Sequence, residues 1–477
     1  MPAASVEELM KTTILATGSQ KVRRDVVGGK RGDGDERGER IRRPSARSIR
    51  RGRPDPNLTG VAGLVPFGGY LEEIGVDKQL RRAFFELKDG PLVVYPMETQ
   101  MRMLIDAFAV GEQRVFGLES LAADPLFVEL AGGVVPSIDT VYRDLMRLDD
   151  MENAKLELIM ASNGLATLAN VTSGQPYVHV DIDTTVEPLF GQQEGALPGY
   201  NPRYRGRNSY HPILAAIAET GACIGARLRP GDVGLGGDDA KLIQTYVQRA
   251  VAYAPSGSMV VARIDSGADC AEILSALDDS GAYFIVKAHL TPDLCGALLQ
   301  VSEWKTVEED ADGEPLIQVC ELEFQRTTWK QSGKSYRVVA VRRRDRDTGK
   351  QVQLWEHLDY TVQVFITNNR QDAAAAIVAD YDGRAEVEPR IAELKNGVGI
   401  GKVPSRDFNA NHAAFLLKLL THNLMRRYVL DKKSELSAWR MQWLCRALFR
   451  VPGRLTRSGR QLTLRVPPHC ALHDLLC

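Results

Sequence analysis

Two short strand-like runs, each with an aspartate at or near its end, constrain the fold of this chain more than any other feature. The first, PYVHVDIDTT, alternates as a β-strand does and places Asp183 near its end. The second, SMVVARID, ends at Asp265. Helical patterns at about 239–252 and 268–279 flank the second run. Further short strands are predicted at HPILAAIAE, ACIGARLR and AYFIVKA. Strands that first follow one another and then alternate with helices predict a mixed sheet with helices packed on it.

The two aspartates are expected to share a crevice, because side chains at the carboxyl ends of adjacent strands converge there. A third acid on a neighbouring helix, Glu388, would complete a site made of oxygen ligands, which suits Mg²⁺ or Mn²⁺. Two such ions would activate the attacking oxygen and stabilise the leaving one in phosphodiester displacement. A single aspartate at a strand end more often forms a turn or caps a helix. Alternation also places Asp181 on the same strand face as Asp183, so the pattern alone leaves both open.

The stretch YDGRAEVEPRIAELK contains a row of functional side chains. Tyr381, Arg384, Glu388 and Lys395 stand three, four and seven residues apart in turn. At about 100° per helical residue they would fall within roughly 60° of one another. Most rows of this kind are solvated helix faces held by ion pairs, so this row gains meaning only together with the partner acids.

A proline interrupts that row. Pro389 has no backbone N–H, so it belongs in the first turn of a helix or at a kink. A single straight helix over residues 381–395 is therefore not expected, and a helix that begins near Glu388 is the alternative. Glu386 and Glu393 remain rivals to Glu388 as the metal-binding acid.

The charge is distributed unevenly, although the net charge is only −1. Residues 21–53 contain thirteen Lys or Arg and five acids, and residues 426–465 contain eleven basic residues and two acids. Such clusters can neutralise phosphates and release counterions. They can equally be a disordered solubilising arm and a solvated surface. Two basic ends around a near-neutral middle favour an anionic polymer as partner.

The segment DPLFVELAGGVVPSIDTVYRDLMRL predicts two helices joined by a glycine-containing turn. Ser137 would cap the second helix, leaving Thr140, Tyr142 and Arg143 exposed. This is the outline of a helix-turn-helix, whose second helix can enter a major groove, and any pair of antiparallel helices has the same outline.

Residues 300–366 are rich in β-like runs and contain Trp304, Trp329 and Trp355. These aromatic residues suit core packing better than stacking on bases. The apolar stretch 409–430 predicts a helix buried against the sheet, and His211 is expected to have a structural role.

In combination these motifs resemble the bacterial insertion-sequence transposases of the DDE type with a Tyr-Arg-Glu-Lys signature, of the insertion-sequence family 1380 type. DIDTT is similar to the first-aspartate motif, ARIDSGAD to the second, and YDGRAEVEPRIAELK to the signature around the glutamate. Residues 191–232 and the tail LFRVPGRLTRSGRQLTLRV resemble one branch of that family. The resemblance covers about residues 60–466.

The resemblance implies an α/β fold, with an RNase H-like mixed sheet flanked by helices, a β-rich insertion and a helical N-terminal DNA-binding region. The expected organisation is a basic arm, the helical region, the core in two parts around the insertion, and a basic C-terminal region, with these bounds: 1–58, 59–170, 171–299, 300–366, 367–430 and 431–477.

It also implies roles for six residues. Three would be catalytic and would bind the metal: Asp183, Asp265 and Glu388. Three would contact DNA: Tyr381, Arg384 and Lys395. The expected cofactor is Mg²⁺, for which Mn²⁺ can substitute. The expected partners are double-stranded DNA, as the inverted-repeat ends of the element and as target DNA, and a second copy of the chain in a homodimer.

The implied activity is metal-dependent DNA cleavage followed by strand transfer. A stand-alone RNase H-like nuclease and a catalytically inactive DNA-binding protein derived from a transposase are the alternatives. The sequence has no apolar run of about 18 residues that would span a membrane, and its N-terminus lacks the order of a secretory signal. Seven cysteines without a CxxC pair favour reduced thiols. We therefore expect a cytoplasmic protein associated with the nucleoid.

Overall fold

The structure is a computed structural model that describes residues 45–199, 205–344 and 360–468, together with Cys470, Leu472 and Leu475. The chain divides into two compact units, residues 1–54 and 55–477. In the first unit the described residues are exposed and form one short 3₁₀ helix, Ala46–Ser48. All elements below belong to the second unit.

The described part of the second unit contains the following strands: β1 Leu58–Thr59, β2 Tyr177–Thr184, β3 Glu187–Pro188, β4 Leu197–Pro198, β5 Asn208–Tyr210, β6 Ile213–Ile217, β7 Cys223–Arg227, β8 Met259–Ile264, β9 Tyr283–Lys287, β10 Lys305–Glu309, β11 Pro315–Leu322, β12 Arg337–Arg344, β13 Tyr360–Thr367, β14 Gly453–Ser458 and β15 Gln461–Arg465.

The α-helices of the same part of the chain are α1 Leu64–Glu73, α2 Val76–Phe84, α3 Met97–Ala109, α4 Leu118–Leu121, α5 Pro125–Leu130, α6 Ile138–Leu145, α7 Asp150–Leu165, α8 Leu168–Val171, α9 Ala240–Tyr253, α10 Ala271–Asp278, α11 Pro292–Leu299, α12 Thr327–Gln331, α13 Ala374–Asp382, α14 Val387–Gly397, α15 Phe408–Lys432 and α16 Met441–Leu444.

A nine-stranded sheet in the order β10-β11-β12-β13-β9-β8-β2-β6-β7 forms the centre of the second unit. Strand β8 is parallel to both β2 and β9, and the other neighbouring strands of this sheet are antiparallel. The predicted mixed sheet flanked by helices is thus confirmed. Because β2 and β8 are parallel neighbours, their carboxyl ends meet at one edge of the sheet.

The two faces of β2 differ in polarity. Val178, Val180 and Ile182 are fully buried in an apolar cluster to which α9 and α10 also contribute. The alternate residues His179 and Asp181 point to the opposite face, as the period of two requires. That opposite face is covered by the segment that includes α13 and α14, through contacts described below.

The β-rich region predicted for residues 300–366 continues the central sheet sideways. Strand β13 pairs antiparallel with β9, and β12, β11 and β10 follow in order. Trp329 is buried and Trp304 is half-buried, with the Arg342 guanidinium 4.5 Å from the Trp304 ring centroid. Trp355 lies outside the described residues. The two described tryptophans therefore pack within the protein.

Helix α15 is the longest helix of the described chain, and most of its side chains are buried. Asp407 caps it by accepting a hydrogen bond from the N–H of Ala410 at 2.7 Å. The helix packs against α3, α7 and strand β7, and α7 also packs against β7. The apolar helix predicted at 409–430 is confirmed.

Among the described residues, no helix has both the length and the hydropathy needed to cross a bilayer.

Helices α5 and α6 have the predicted helix-turn-helix outline. Asp124 caps α5, and the Ser137 hydroxyl caps α6 by accepting from the N–H of Thr140 at 3.3 Å. Arg143 is exposed, whereas Thr140 and Tyr142 are half-buried. Contact of this pair with DNA remains a prediction.

Candidate functional site

Asp183 and Asp265 lie at the carboxyl ends of the two parallel strands. Asp183 is the penultimate residue of β2, and Asp265 directly follows β8. The pairing of Ile182 with Ile264 brings the two aspartates to the same level of the sheet. Asp265 also caps a 3₁₀ turn, because its carboxylate accepts from the N–H of Gly267 at 3.0 Å. The cap role usual for a strand-end aspartate is therefore present alongside its place beside Asp183.

The two carboxylates influence each other. Burial raises the pKa of Asp183 to about 6; the Arg384 guanidinium opposes this rise, and the negative charge of Asp265 adds to it. Mutual repulsion of two carboxylates is a feature that a bound cation relieves. Carboxylate oxygens are also the donors that Mg²⁺ and Mn²⁺ prefer, so this pair fits a divalent ion.

The predicted row of functional residues lies on three consecutive helical pieces. Tyr381 belongs to α13, Arg384 to a 3₁₀ helix, Gly383–Glu386, and both Glu388 and Lys395 to α14. Helix α14 begins at Val387, so Pro389 occupies its first turn, as the sequence predicted. The segment is not one straight helix.

Arg384 reaches the first aspartate. Its Nη2 lies 3.2 Å from Asp183 Oδ1 and donates to the carbonyl of Ile182 at 3.2 Å. Lys395 is also occupied, since its Nζ lies 3.2 Å from Glu187 Oε1 and 2.9 Å from the carbonyl of Val186. Both cations predicted to bind DNA thus have internal partners in this structure.

Tyr381 packs beside the site. Its ring lies 4.5 Å from that of Phe365. Burial raises the Tyr381 pKa to about 12; the Arg384 guanidinium opposes this, and Asp265 and Asp183 increase it. The phenol is therefore neutral at ordinary pH, and the negative charges of both aspartates act on it.

Glu388 is exposed at the start of α14, where the helix dipole favours a carboxylate. Within the described ranges, no three His, Cys, Asp or Glu side chains are grouped closely enough to hold a metal ion. The structure therefore brings together Asp183, Asp265 and Arg384, packs Tyr381 against Phe365, and leaves Glu388 outside a ligand cluster.

The rival acids have distinct surroundings. Asp181 is buried and binds Arg263 through both oxygens, at 2.7 and 3.0 Å. Glu393 binds Arg426 at 2.5 Å and accepts from the N–H of Met441. Glu386 is exposed, like Glu388. Asp181 and Glu393 are thus neutralised by arginines. Glu386 and Glu388 are both exposed, so their exposure gives no reason to prefer one of them as the metal ligand.

His211 supports the end of β2. It is buried, and its Nε2 lies 3.1 Å from the hydroxyl of Thr184. Burial lowers the His211 pKa, and the charge of Arg229 lowers it further. A neutral imidazole that contacts the residue next to Asp183 has a structural role near the site.

Many residues of the basic C-terminal region have acidic partners, because acids from distant parts of the chain lie against it. Within the described part of the chain, four exposed arginines of this region form no ion pair: Arg440, Arg446, Arg460 and Arg465. Most of the basic cluster at 21–53 lies outside the described residues. The surface charge available to an anionic partner is thus smaller than composition suggests.

Sequence reasoning missed Arg263. Strand alternation places it on the same face as Asp265, two residues before it, and that signal was available in the pattern ARID. Its partner Asp181 is 82 residues away in sequence, so the pattern did not indicate the pairing.

A family model described as Transposase DDE domain group 1 matches residues 45–477. No curated protein matches the sequence. Among solved structures, the chain is similar to the piggyBac transposase in a synaptic complex with hairpin DNA. The TM-score is 0.41, with 12% identity, over 81% of this chain and 79% of that chain.

Proposed function

Because the chain belongs to the family with a transposase DDE domain of group 1, we propose that it is the transposase of a bacterial insertion sequence of the family 1380 type. It binds the inverted-repeat ends of its own element as double-stranded DNA, cuts them, and joins them to target DNA. The active form is a homodimer on DNA, associated with the nucleoid.

The observation that carries this proposal is the pair Asp183 and Asp265 at the ends of neighbouring parallel strands, with the pKa of Asp183 raised by burial and, in part, by Asp265. The order β7-β6-β2-β8-β9, in which only β8 is parallel to its neighbours, supports an RNase H-like core. A carboxylate at each of the two central strand ends is the arrangement that such a core needs for phosphodiester chemistry.

Transposase DDE domains generally use divalent metal ions, and we take the ion here to be Mg²⁺, with Mn²⁺ as a substitute. When bound, the ion polarises the phosphodiester and makes water a stronger nucleophile. Asp183 and Asp265 would hold it, and Glu388 would be the third ligand. Since Glu388 is exposed on α14, the proposal requires α14 or the Glu388 side chain to approach the aspartates when DNA and metal are bound.

Arg384 and Lys395 provide the positive charge beside the cut strand. On DNA binding, Arg384 would exchange Asp183 for a phosphate, which frees that carboxylate for the metal. Tyr381 is neutral, so its hydroxyl keeps its proton and can donate a hydrogen bond to a phosphate oxygen. The attacking oxygen is first water, whose attack releases a 3′-hydroxyl, and then that 3′-hydroxyl, which attacks the target phosphodiester.

The test uses the full chain and a duplex with the short inverted repeats that flank its gene. We expect cuts at the repeat ends and joined products in Mg²⁺. Asp265→Asn should bind the same duplex without cutting it, because one ligand charge is removed while the shape is kept. Wild-type cutting without joining would identify an RNase H-like nuclease instead.

One observation favours a second candidate, a catalytically inactive DNA-binding protein derived from a transposase. Arg384 is paired with Asp183, and Glu388 stands apart from the aspartates. Specific binding of the repeats with no cutting by the wild-type chain, in either Mg²⁺ or Mn²⁺, would establish this candidate.

A further inference from the structure

A group of charged side chains lies between the central sheet and the segment that includes α13 and α14. We call it the buried charge cluster after its two buried members, Asp181 and Arg263; the other four are half-buried: His179, Glu219, Asp380 and Arg390. Each member contacts at least one other member within 3.5 Å. None of the six is among the residues to which the proposed function gives a role in cutting DNA.

Asp181 and Arg263 form the centre of this cluster. They are direct partners across the parallel strands β2 and β8. Two hydrogen bonds of 2.7 and 3.0 Å join them, and their side chains are only 1% and 5% exposed. Asp181 precedes Asp183 by two residues, and Arg263 precedes Asp265 by two. The pair therefore links the two strands at the position two residues before each candidate metal ligand.

Arg263 also reaches the helical segment above the sheet. Its Nη1 donates to the carbonyl of Asp380 at 2.7 Å and lies 3.3 Å from the Asp380 carboxylate. Asp380 immediately precedes Tyr381. A Cβ atom on Gly383 would come within 2.8 Å of the same Nη1, so the guanidinium fills the space that this glycine leaves. Arg263 is thus in contact with Asp181 on strand β2 and with Asp380 on helix α13.

Further bonds attach the segment before and after its functional residues. Arg390 lies 3.5 Å from Asp181 and donates to the carbonyl of Ala218. His179 has Glu219 2.7 Å from one ring nitrogen and Asp380 2.9 Å from the other. Directed hydrogen bonds fix distance and orientation, which apolar contacts do not. The segment between Asp380 and Arg390, which contains Arg384 and Glu388, is therefore held at both of its ends.

We infer that Asp181 and Arg263 are positioning residues, which hold the segment with Tyr381, Arg384 and Glu388 in register with Asp183 and Asp265. This inference rests on the proposed function for its consequence in DNA cutting. The mechanical part, the attachment of the segment to the two strands, concerns the folded chain alone. A buried ion pair of this kind is costly to desolvate and contributes little net stability, so a role in geometry accounts for it better than a role in stability.

The first test replaces the pair by apolar residues of similar size, in the double variant Asp181→Leu with Arg263→Met. Such replacements of buried ion pairs are often neutral for stability, and Asp380 and Arg390 are near enough to the surface to be hydrated. The matched control is Glu157→Leu with Arg249→Met, which removes a paired carboxylate and guanidinium between α7 and α9. The conservative variant Arg263→Lys keeps the charge but has a single nitrogen in place of the three separate nitrogens that bond Asp181 and Asp380.

The first readout is backbone amide exchange, which needs neither metal nor DNA. In the pair variant we expect residues 377–390 to exchange at least about tenfold faster, while α15 stays unchanged. The control variant should leave residues 377–390 as in the wild type. Unchanged exchange in this segment, or faster exchange throughout the chain in both variants, would overturn the inference whether or not the chain cuts DNA.

The second readout is end cleavage at saturating DNA. A misplacement of about 1 Å can cost on the order of 100-fold in rate, so we expect a loss of that size in Mg²⁺, a smaller loss in Mn²⁺, and DNA affinity within about threefold of wild type. Arg263→Lys should give an intermediate loss. A merely structural role would lower affinity and cleavage together. A wild-type chain that does not cut would count against the proposed function, and the exchange result would still decide the positioning role.

Discussion

Asp181 and Asp183 lie two residues apart on the same face of β2, and their surroundings differ in one essential way. Asp181 is within the buried charge cluster, where Arg263 binds both of its oxygens and Arg390 approaches it. Asp183 is less buried, shares its region with Asp265, and has Arg384 as its cationic neighbour. One carboxylate is matched in charge and the other belongs to a group with surplus negative charge. Matching suits a structural bond, and a surplus suits a site for a cation.

Of the substitutions that distinguish the pair Asp183 and Asp265 from the buried charge cluster, Asp265→Asn should have the largest effect on DNA cleavage. The loss of one ligand charge removes several kcal/mol of metal-dependent stabilisation, which corresponds to a fall in cleavage rate on the order of 10³-fold or more. Stability and DNA affinity should stay close to wild type. Gel-shift and cleavage assays on one preparation measure this, with Asp312→Asn in an exposed turn as the control. An equal loss of binding and cleavage would make Asp265 structural, like Asp181.

The next effect concerns the two exposed glutamates. Glu386 and Glu388 differ by two residues, so on a helix they point about 160° apart and cannot both face one site. Glu388→Gln should reduce cleavage on the order of 100-fold or more, whereas Glu386→Gln should keep most of it. Both variants should be compared in Mg²⁺ and Mn²⁺. If Glu386→Gln is the inactive variant, the assignments of Tyr381, Arg384 and Lys395 are wrong as well.

A pH titration tests the charge state of His179 in the buried charge cluster. Burial lowers the pKa of His179, but hydrogen bonds to Asp380 and Glu219 outweigh this and raise it to about 9. The folded chain therefore binds the His179 proton more tightly than the unfolded chain. Its contribution, of about 3 kcal/mol, is fully present below about pH 6.5 and is lost as the pH rises through 9.

Denaturant unfolding between pH 6.5 and 9.5 measures this contribution. The variant His179→Gln should have a flatter dependence of unfolding free energy on pH than the wild type, with the difference largest at the acidic end. Identical slopes in the two proteins would show that folding does not raise the His179 pKa. The buried charge cluster would then carry surplus negative charge above about pH 6.5, as the pair Asp183 and Asp265 does.

The smallest effect is expected from Gly383→Ala. The backbone of Gly383 is helical, so alanine fits its conformation and favours the helix. The new Cβ would press on the Arg263 guanidinium, which Asp181 holds in place. We expect a severalfold loss of cleavage, with a change in unfolding free energy below about 1 kcal/mol. Gly132→Ala is unsuitable as a control because its φ is +94°; Gly296→Ala, in a helix with open space around it, is the matched one. Unchanged cleavage would show that the guanidinium can shift without disturbing the site.

Much of this architecture follows from patterns that lie within a few residues. The alternation in PYVHVDIDTT predicts a strand with one apolar and one polar face, and β2 has both. Pro389 predicts a helix start, and α14 begins two residues before it. These features depend on local geometry, which neighbouring residues determine. The metal-binding and DNA-binding roles of the six predicted site residues remain predictions.

The sequence by itself therefore determined strands β2 and β8, the long helix α15, and the presence of Asp183 and Asp265 at two strand ends. Only the tertiary structure decided which charges are neutralised. By sequence Arg263 could pair with any acid on its face of the sheet, and the parallel register of β2 and β8 places it opposite Asp181. Likewise Arg384 and Lys395 could face solvent or DNA, and the packing of the helical segment places them on Asp183 and Glu187. The reason is physical: a strand or helix is specified by its own residues, whereas the partner of a charge depends on which distant segments fold against it.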